Sequence, residues 1–125
     1  MTILPEGHPL AAQDPVRAAV LCREPFLLLG KDGNNEVLNC FTDCGLTPRV
    51  RFTTWDDYAI MSMVECGLGV SVLPRLILQR IPYRIAVRRL DIPAHRNIGI
   101  ALREKKRAPL AVKRFLEYLP CRRPL

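Results

Sequence analysis

The chain has 125 residues, about half hydrophobic and a quarter charged, and 19 Lys and Arg against 12 Asp and Glu give it a net charge of +7. That length allows one domain at most, or a piece of a larger one, with a core of its own. No apolar run approaches the roughly 20 residues of a membrane helix and no basic-then-apolar leader opens the chain, so an intracellular, cytoplasmic soluble protein is expected.

The charge is unevenly placed. Residues 1–75 carry 6 basic and 9 acidic side chains, residues 76–125 carry 13 and 3. Arg84, Arg88 and Arg89 are spread along a strand-like segment, and Lys113 and Arg114 lie on the polar side of a helical one. No aromatic platform is interleaved with them, which favours a solvated basic surface over a nucleic-acid site. The five cysteines (Cys22, Cys40, Cys44, Cys66, Cys121) form no CxxC pair, and His8 and His95 lie far from any cysteine pair. A disulfide framework and a zinc site are therefore not expected, and neither is any cofactor. Cys40 and Cys44, one helical turn apart, read as small buried residues on a helix face.

In chain order, Met1–Leu4 reads as a strand closed by Pro5, and Val16–Leu21 as a short helical or turn segment. Pro25 opens Phe26-Leu27-Leu28-Leu29, apolar throughout and so expected to be buried on both faces. Gly30-Lys31-Asp32-Gly33-Asn34 is loop chemistry. A helix is expected from about Asn35 to Cys44, with Val37, Leu38 and Phe41 on one face and Gly45 as its stop. Pro48–Thr53 alternates, with Val50 and Phe52 on one side, as in a half-exposed edge strand.

The stretch from Thr53 to Pro74 is the most explicit. Thr54 is placed to cap a helix, with Asp57 completing a capping-box-like pair. Ala59, Ile60, Met63 and Val64 share a face, and Gly67 ends the helix. Cys-Gly-Leu thus closes two helices, at 44–46 and 66–68. Val70–Leu73 is a short strand stopped by Pro74. Arg75–Arg80 reads as a helical turn or two, and Tyr83–Arg88 and Asn97–Leu102 as strands. A last helix follows Ala108-Pro109 with a stripe of Val112, Phe115, Leu116 and Leu119. The order β, β, α, β, α, β, β, β, α is an α/β fold with a central mixed sheet flanked by helices. A lone N-terminal strand and a final β–α pair have nothing obvious to pack on unless they join the middle or a missing partner.

In an open α/β sheet, ligands sit beyond the carboxyl ends of the strands. Two such ends lead into the loops Gly30–Asn34 and Thr53–Asp56, each before a helix N-terminus, where backbone N–H groups and the helix dipole favour an anion. The candidate ligand-binding residues are Gly30, Lys31, Asp32, Gly33, Thr53, Thr54 and Trp55. Lys31 brings charge, Thr53 and Thr54 bring hydroxyls, and Trp55 brings a wall. Thr54 as a plain helix cap and Lys31 as a solvated loop lysine are the structural alternatives, and Asp32 and Asp56 oppose an anion if they face it.

Four blocks of residues stand in order: Leu4-Pro5 with His8-Pro9-Leu10-Ala11, Glu24-Pro25-Phe26-Leu27-Leu28-Leu29, Met63-Val64-Glu65-Cys66-Gly67-Leu68-Gly69-Val70-Ser71-Val72-Leu73-Pro74, and Ala108 to Leu119. With them the chain resembles the C-terminal half of the effector-binding domain of LysR-type transcriptional regulators. The resemblance implies a type 2 periplasmic-binding-protein-like lobe, a small-molecule effector held between two lobes, and no enzymatic activity. It assigns residues 1–24 to a first crossover strand and its connection and residues 25–95 to the second effector-binding lobe. Residues 96–125 become a return crossover strand and a helix that packs on the first lobe.

The resemblance also implies a homodimer through Asn35–Cys44 and Pro48–Thr53, and DNA contact only through a domain outside this chain. The peroxide-sensing branch of the family has two cysteines nine residues apart. Cys40 matches the second and Lys31 falls on the first, so the redox function does not carry over. A solute-binding module of a transporter with the same fold is the alternative reading, set against by the missing export signal. An enzyme built on the same fold, or a thiol enzyme using Cys40 or Cys66, is the third, set against by the lack of a Cys–His or Ser–His–Asp constellation.

Overall fold

The computed structural model describes residues 1–30, 35–96, 98–104 and 106–119. Five strands and four α-helices follow one another as β1 (Thr2–Pro5), α1 (Ala18–Leu21), β2 (Pro25–Leu29), α2 (Glu36–Thr42), β3 (Arg49–Thr54), α3 (Asp57–Glu65), β4 (Ser71–Val72), β5 (Ile85–Arg88) and α4 (Leu110–Tyr118). Short 3-10 turns occupy Pro9–Ala12 and Ile77–Gln79, the second where the sequence suggests a longer helical segment over Arg75–Arg80.

The N-terminal strand lies in the middle of the molecule. β1 pairs antiparallel with β4 on one side and with β5 on the other. β2 and β3 pair in parallel. A bridge from Phe26 to Val70 joins the two sheets, through Leu27 N–H to the Val70 carbonyl (2.8 Å) and Val70 N–H to the Pro25 carbonyl (2.9 Å). The strands therefore run in the order β3-β2-β4-β1-β5 as one mixed sheet. The buried Ser71 hydroxyl adds a 2.6 Å bond to the Leu27 carbonyl at the same seam.

Successive residues face opposite layers, as the two-residue period of a strand requires. Leu4, Phe26, Leu28, Val70, Val72 and Ala86 pack with Leu10, Val16, Leu21 and Phe41 on one side of the sheet. Ile3, Leu27 and Leu73 pack with Ile60, Met61 and Val64 of α3 on the other. The unbroken run Phe26-Leu27-Leu28 is buried on both faces, as its composition demands. Phe26 and Phe41 meet edge to face at 5.7 Å, the arrangement that aromatic quadrupoles favour.

Both Cys-Gly-Leu triplets do the same work. Gly45 (φ 69°) and Gly67 (φ 75°) are left-handed. Leu46 N–H reaches the Phe41 carbonyl (2.9 Å) and Leu68 N–H the Met63 carbonyl (3.0 Å), the closing bond of a Schellman turn. The turns also place Cys44 and Cys66 at the surface. The expectation that Cys40 and Cys44 are buried neighbours fails, because α2 ends at Thr42 and Cys44 belongs to the turn, while Cys40 is half-buried.

At the first block of the resemblance, His8 Nδ1 accepts from Leu10 N–H (3.2 Å) and caps the Pro9–Ala12 turn, and its Nε2 lies 3.7 Å from the Glu24 carboxylate, which leads into β2. Arg88 of β5 donates through Nε to the Ala11 carbonyl (2.7 Å). This tie anchors the Pro9–Ala12 turn to the sheet.

The C-terminal segment departs from its sequence pattern. Residues 98–102 are not a strand, and Ile98, Ile100 and Leu102 are exposed. Their period-2 pattern has no neighbouring strand among the described residues to hydrogen-bond with. α4 forms where Pro109 precedes it, but none of its residues is buried and Leu110, Phe115 and Tyr118 are largely exposed. A shallow hollow of about 580 Å³ lies along this segment, with Leu102, Arg103, Arg107, Pro109 and Val112 in its lining.

Candidate functional site

β2 and β3 run in parallel and side by side, so their carboxyl ends open on the same edge of the sheet. Leu28 lies level with Thr53 and Leu29 with Thr54, and Gly30 N–H donates to the Thr54 carbonyl (2.9 Å). The backbone thus joins the two loops that the sequence singles out. Gly30, Thr53, Thr54 and Trp55 are brought together on this edge, whereas Lys31, Asp32 and Gly33 lie outside the described residues.

Gly30 takes a φ of 121°, which L side chains rarely adopt. A Cβ there would also meet Asn35 Nδ2 at 2.7 Å. Asn35 is 7% exposed and makes bonds in two directions. Its amide donates to the Leu29 carbonyl (2.9 Å), and its Oδ1 accepts from Val37 N–H (3.0 Å) and Leu38 N–H (3.4 Å) as the N-cap of α2. The sequence reading has Asn35 only as the first residue of a helix, although an Asn just before an apolar-periodic run is a cap signal.

At the second loop the cap lies two residues later than expected. Asp56, not Thr54, caps α3, its Oδ1 accepting from Tyr58 N–H (2.8 Å). β3 continues through Thr54 and so keeps that residue extended, and the Thr54 hydroxyl accepts from Asp56 N–H instead (3.4 Å). Thr53 is exposed, as is Trp55 at 66%.

The N–H groups expected to be open for an anion are therefore partly taken by Asn35 and Asp56. Both first turns also carry an acid, Glu36 in α2 and Asp57 in α3, which complements the helix dipole from within the chain. Glu36 is in turn held by Arg96 Nε at 2.6 Å. Among the described residues no cluster of three or more His, Cys, Asp or Glu is placed to hold a metal ion, and no helix is long and apolar enough to cross a membrane.

The model of the LysR substrate binding domain matches residues 1–122. An uncharacterized HTH-type transcriptional regulator of Bacillus subtilis, YvbU, is 27% identical over 92% of this chain and 40% of its own length. Among solved structures, HinK, a LysR family transcriptional regulator of Pseudomonas aeruginosa, is 29% identical with a TM-score of 0.63, over 74% of this chain and 33% of that one. The effector-binding domain of BenM, solved with benzoate, shares the fold at 23% identity and a TM-score of 0.64, over 74% of this chain and 45% of that one. The chain spans about 40% of the length of the curated regulators it matches. With a periplasmic-binding-protein-like α/β fold and a match along almost its whole length, the chain belongs to the LysR substrate binding domain family.

Proposed function

We propose that the chain is the effector-sensing lobe of a LysR-type transcriptional regulator, reading a small carboxylate or similar anion at the joined carboxyl ends of β2 and β3. The observation that carries this reading is the Gly30–Thr54 backbone bond, which makes one edge of two loops. Gly30, Lys31, Asp32, Gly33, Thr53, Thr54 and Trp55 are the contact residues. The Thr53 hydroxyl and the Lys31 ammonium meet the acid, and Trp55 faces the rest of the guest. Two fold relatives support the chemistry: BenM is solved with benzoate and QuiR with shikimate, both carboxylates.

In this reading residues 1–24 carry the first crossover, residues 25–95 form the lobe, and residues 96–125 return to a first lobe. The exposed apolar residues of 98–102 and α4 support the last assignment, because they are a face in need of cover. Dimerisation uses Asn35–Cys44 and Pro48–Thr53. The exposed edge of β3, with Val50 40% and Phe52 46% accessible, is consistent with it. DNA is contacted through a domain outside these residues, in the cytoplasm.

The test is a thermal-shift measurement with benzoate, shikimate and sulfate at millimolar concentration, on the lobe joined to its first lobe. At least one carboxylate is expected to raise the melting temperature, and Thr53→Ala with Lys31→Ala is expected to abolish the rise. A rise that survives both substitutions places the guest elsewhere.

A further inference from the structure

Asn35 is buried, and its side chain is bonded both to the end of β2 and to the start of α2. Its amide holds the Leu29 carbonyl, where the strand ends, and its carbonyl oxygen holds the Val37 and Leu38 N–H groups, where the helix begins. Leu29 and Val37 are thus fastened to a single planar amide. Gly30, directly after Leu29, has no room for a Cβ because of that same amide, and its N–H is bonded to the Thr54 carbonyl of the second loop. A buried amide bonded through both its nitrogen and its oxygen is held in one orientation, since breaking any of these bonds strands a polar atom away from water.

We infer that Asn35 is a positioning residue for effector recognition: it fixes Gly30, and through the Gly30–Thr54 bond the spacing between the carboxyl ends of β2 and β3. This rests on the site reading above. Capping alone does not require Asn, because Asp and Ser cap a helix about as well. The donated bond to Leu29 does require it, since Asp has no donor and the Ser side chain is one atom too short to span both directions.

That difference separates positioning from plain capping. In Asn35→Asp and Asn35→Ser the cap survives and the Leu29 bond is lost. Amide hydrogen exchange, followed by NMR on the full chain, is expected to speed up at Gly30 by about tenfold, the cost of one net hydrogen bond. Exchange through the body of α2 and the melting temperature are expected to change little. In the same variants the thermal shift given by benzoate or shikimate is expected to fall away. Gly30 protection that is unchanged in Asn35→Asp overturns the inference, with or without a ligand. If Gly30 loses protection while the benzoate or shikimate shift persists, Asn35 does not position the ligand groups and the site assignment fails with it. A wild type that answers none of the probes counts against the proposed effector class alone, and the exchange result still decides whether Asn35 fixes Gly30.

Discussion

Gly69 lies flat against the Pro25 carbonyl, so close that a Cβ at Gly69 would run into that oxygen and crowd the Leu27 side chain at 3.2 Å. This contact is where the lead-in to β4 joins β2 and the two parts of the sheet become one. Gly67, two residues earlier, has nothing within 4 Å of its Cβ position but takes a left-handed φ of 75°. Two glycines in one motif are therefore needed for different reasons. Gly69→Ala is expected to cost about 2–3 kcal/mol, because backbone must move to admit the methyl. Gly67→Ala is expected to cost about 1–2 kcal/mol, and Gly67→Asn less, because Asn tolerates the left-handed region. Urea denaturation of the three variants checks the order. An Ala at 69 tolerated better than an Ala at 67 contradicts it.

Thr2 is fully buried in the central strand, and its hydroxyl has no hydrogen-bond partner among the described residues. Its Cα neighbours across the strands are Val72 and Arg88, and the Arg88 guanidinium is occupied at the Ala11 and Val87 carbonyls. Thr2→Val keeps the shape and removes the orphaned group, so it is expected to stabilise the chain by about 1 kcal/mol. Thr2→Ser keeps the hydroxyl and opens a methyl-sized gap, and is expected to destabilise by a similar amount. A lower urea midpoint for Thr2→Val would mean that the hydroxyl is satisfied.

Much of this fold is written locally. The apolar run Phe26–Leu29 has to be buried on both faces, and the repeated Cys-Gly-Leu has to end helices, because both signals depend on residues adjacent in sequence. What the sequence hides is pairing at a distance. Nothing in Thr2–Pro5 says that this strand sits between β4 and β5, whose residues lie more than sixty positions away. The alternation at Ile98, Ile100 and Leu102 is a strand pattern, but periodicity reports a capacity to pair and cannot supply a partner. At the site, the two loops are legible from their turn residues. The choice between Thr54 and Asp56 as the cap is not, because it depends on how far β3 extends, and strand ends are the least determined feature of a sequence. Asn35 is overlooked for a related reason: a cap signal is visible there, but its second bond, back to Leu29, exists only once the turn is closed.

Asp14 accepts from Arg89 twice, from the backbone N–H at 2.9 Å and from Nε at 3.1 Å. The backbone bond first and the side-chain bond second hold its carboxyl below the usual carboxylate range. A group whose folded-state pKa is depressed contributes stability above its unfolded value and loses it as pH falls through the folded value. The melting-temperature gap between wild type and Asp14→Asn is therefore expected to be constant at neutral pH and to close below about pH 4. It is expected to be small throughout, since the pair is open to solvent. A gap that widens on acidification would reverse the sign of the linkage.

The cysteines provide a test of packing that needs no ligand. Cys22 packs against the core layer beneath α1, and burial pushes its thiol pKa up, against a smaller opposing effect of the hydrogen bond with the Thr47 backbone. Cys44 and Cys66 sit in the two Schellman turns with their side chains at the surface. The thiolate is the reacting form, so both higher pKa and lower access slow Cys22. Iodoacetamide at pH 7.5, with peptide mapping by mass spectrometry, is expected to label Cys44 and Cys66 early and Cys22 late, with the difference vanishing in urea. Early labelling of Cys22 under native conditions would mean that α1 lifts from the sheet and that the layer built on Val16, Leu21 and Phe41 opens.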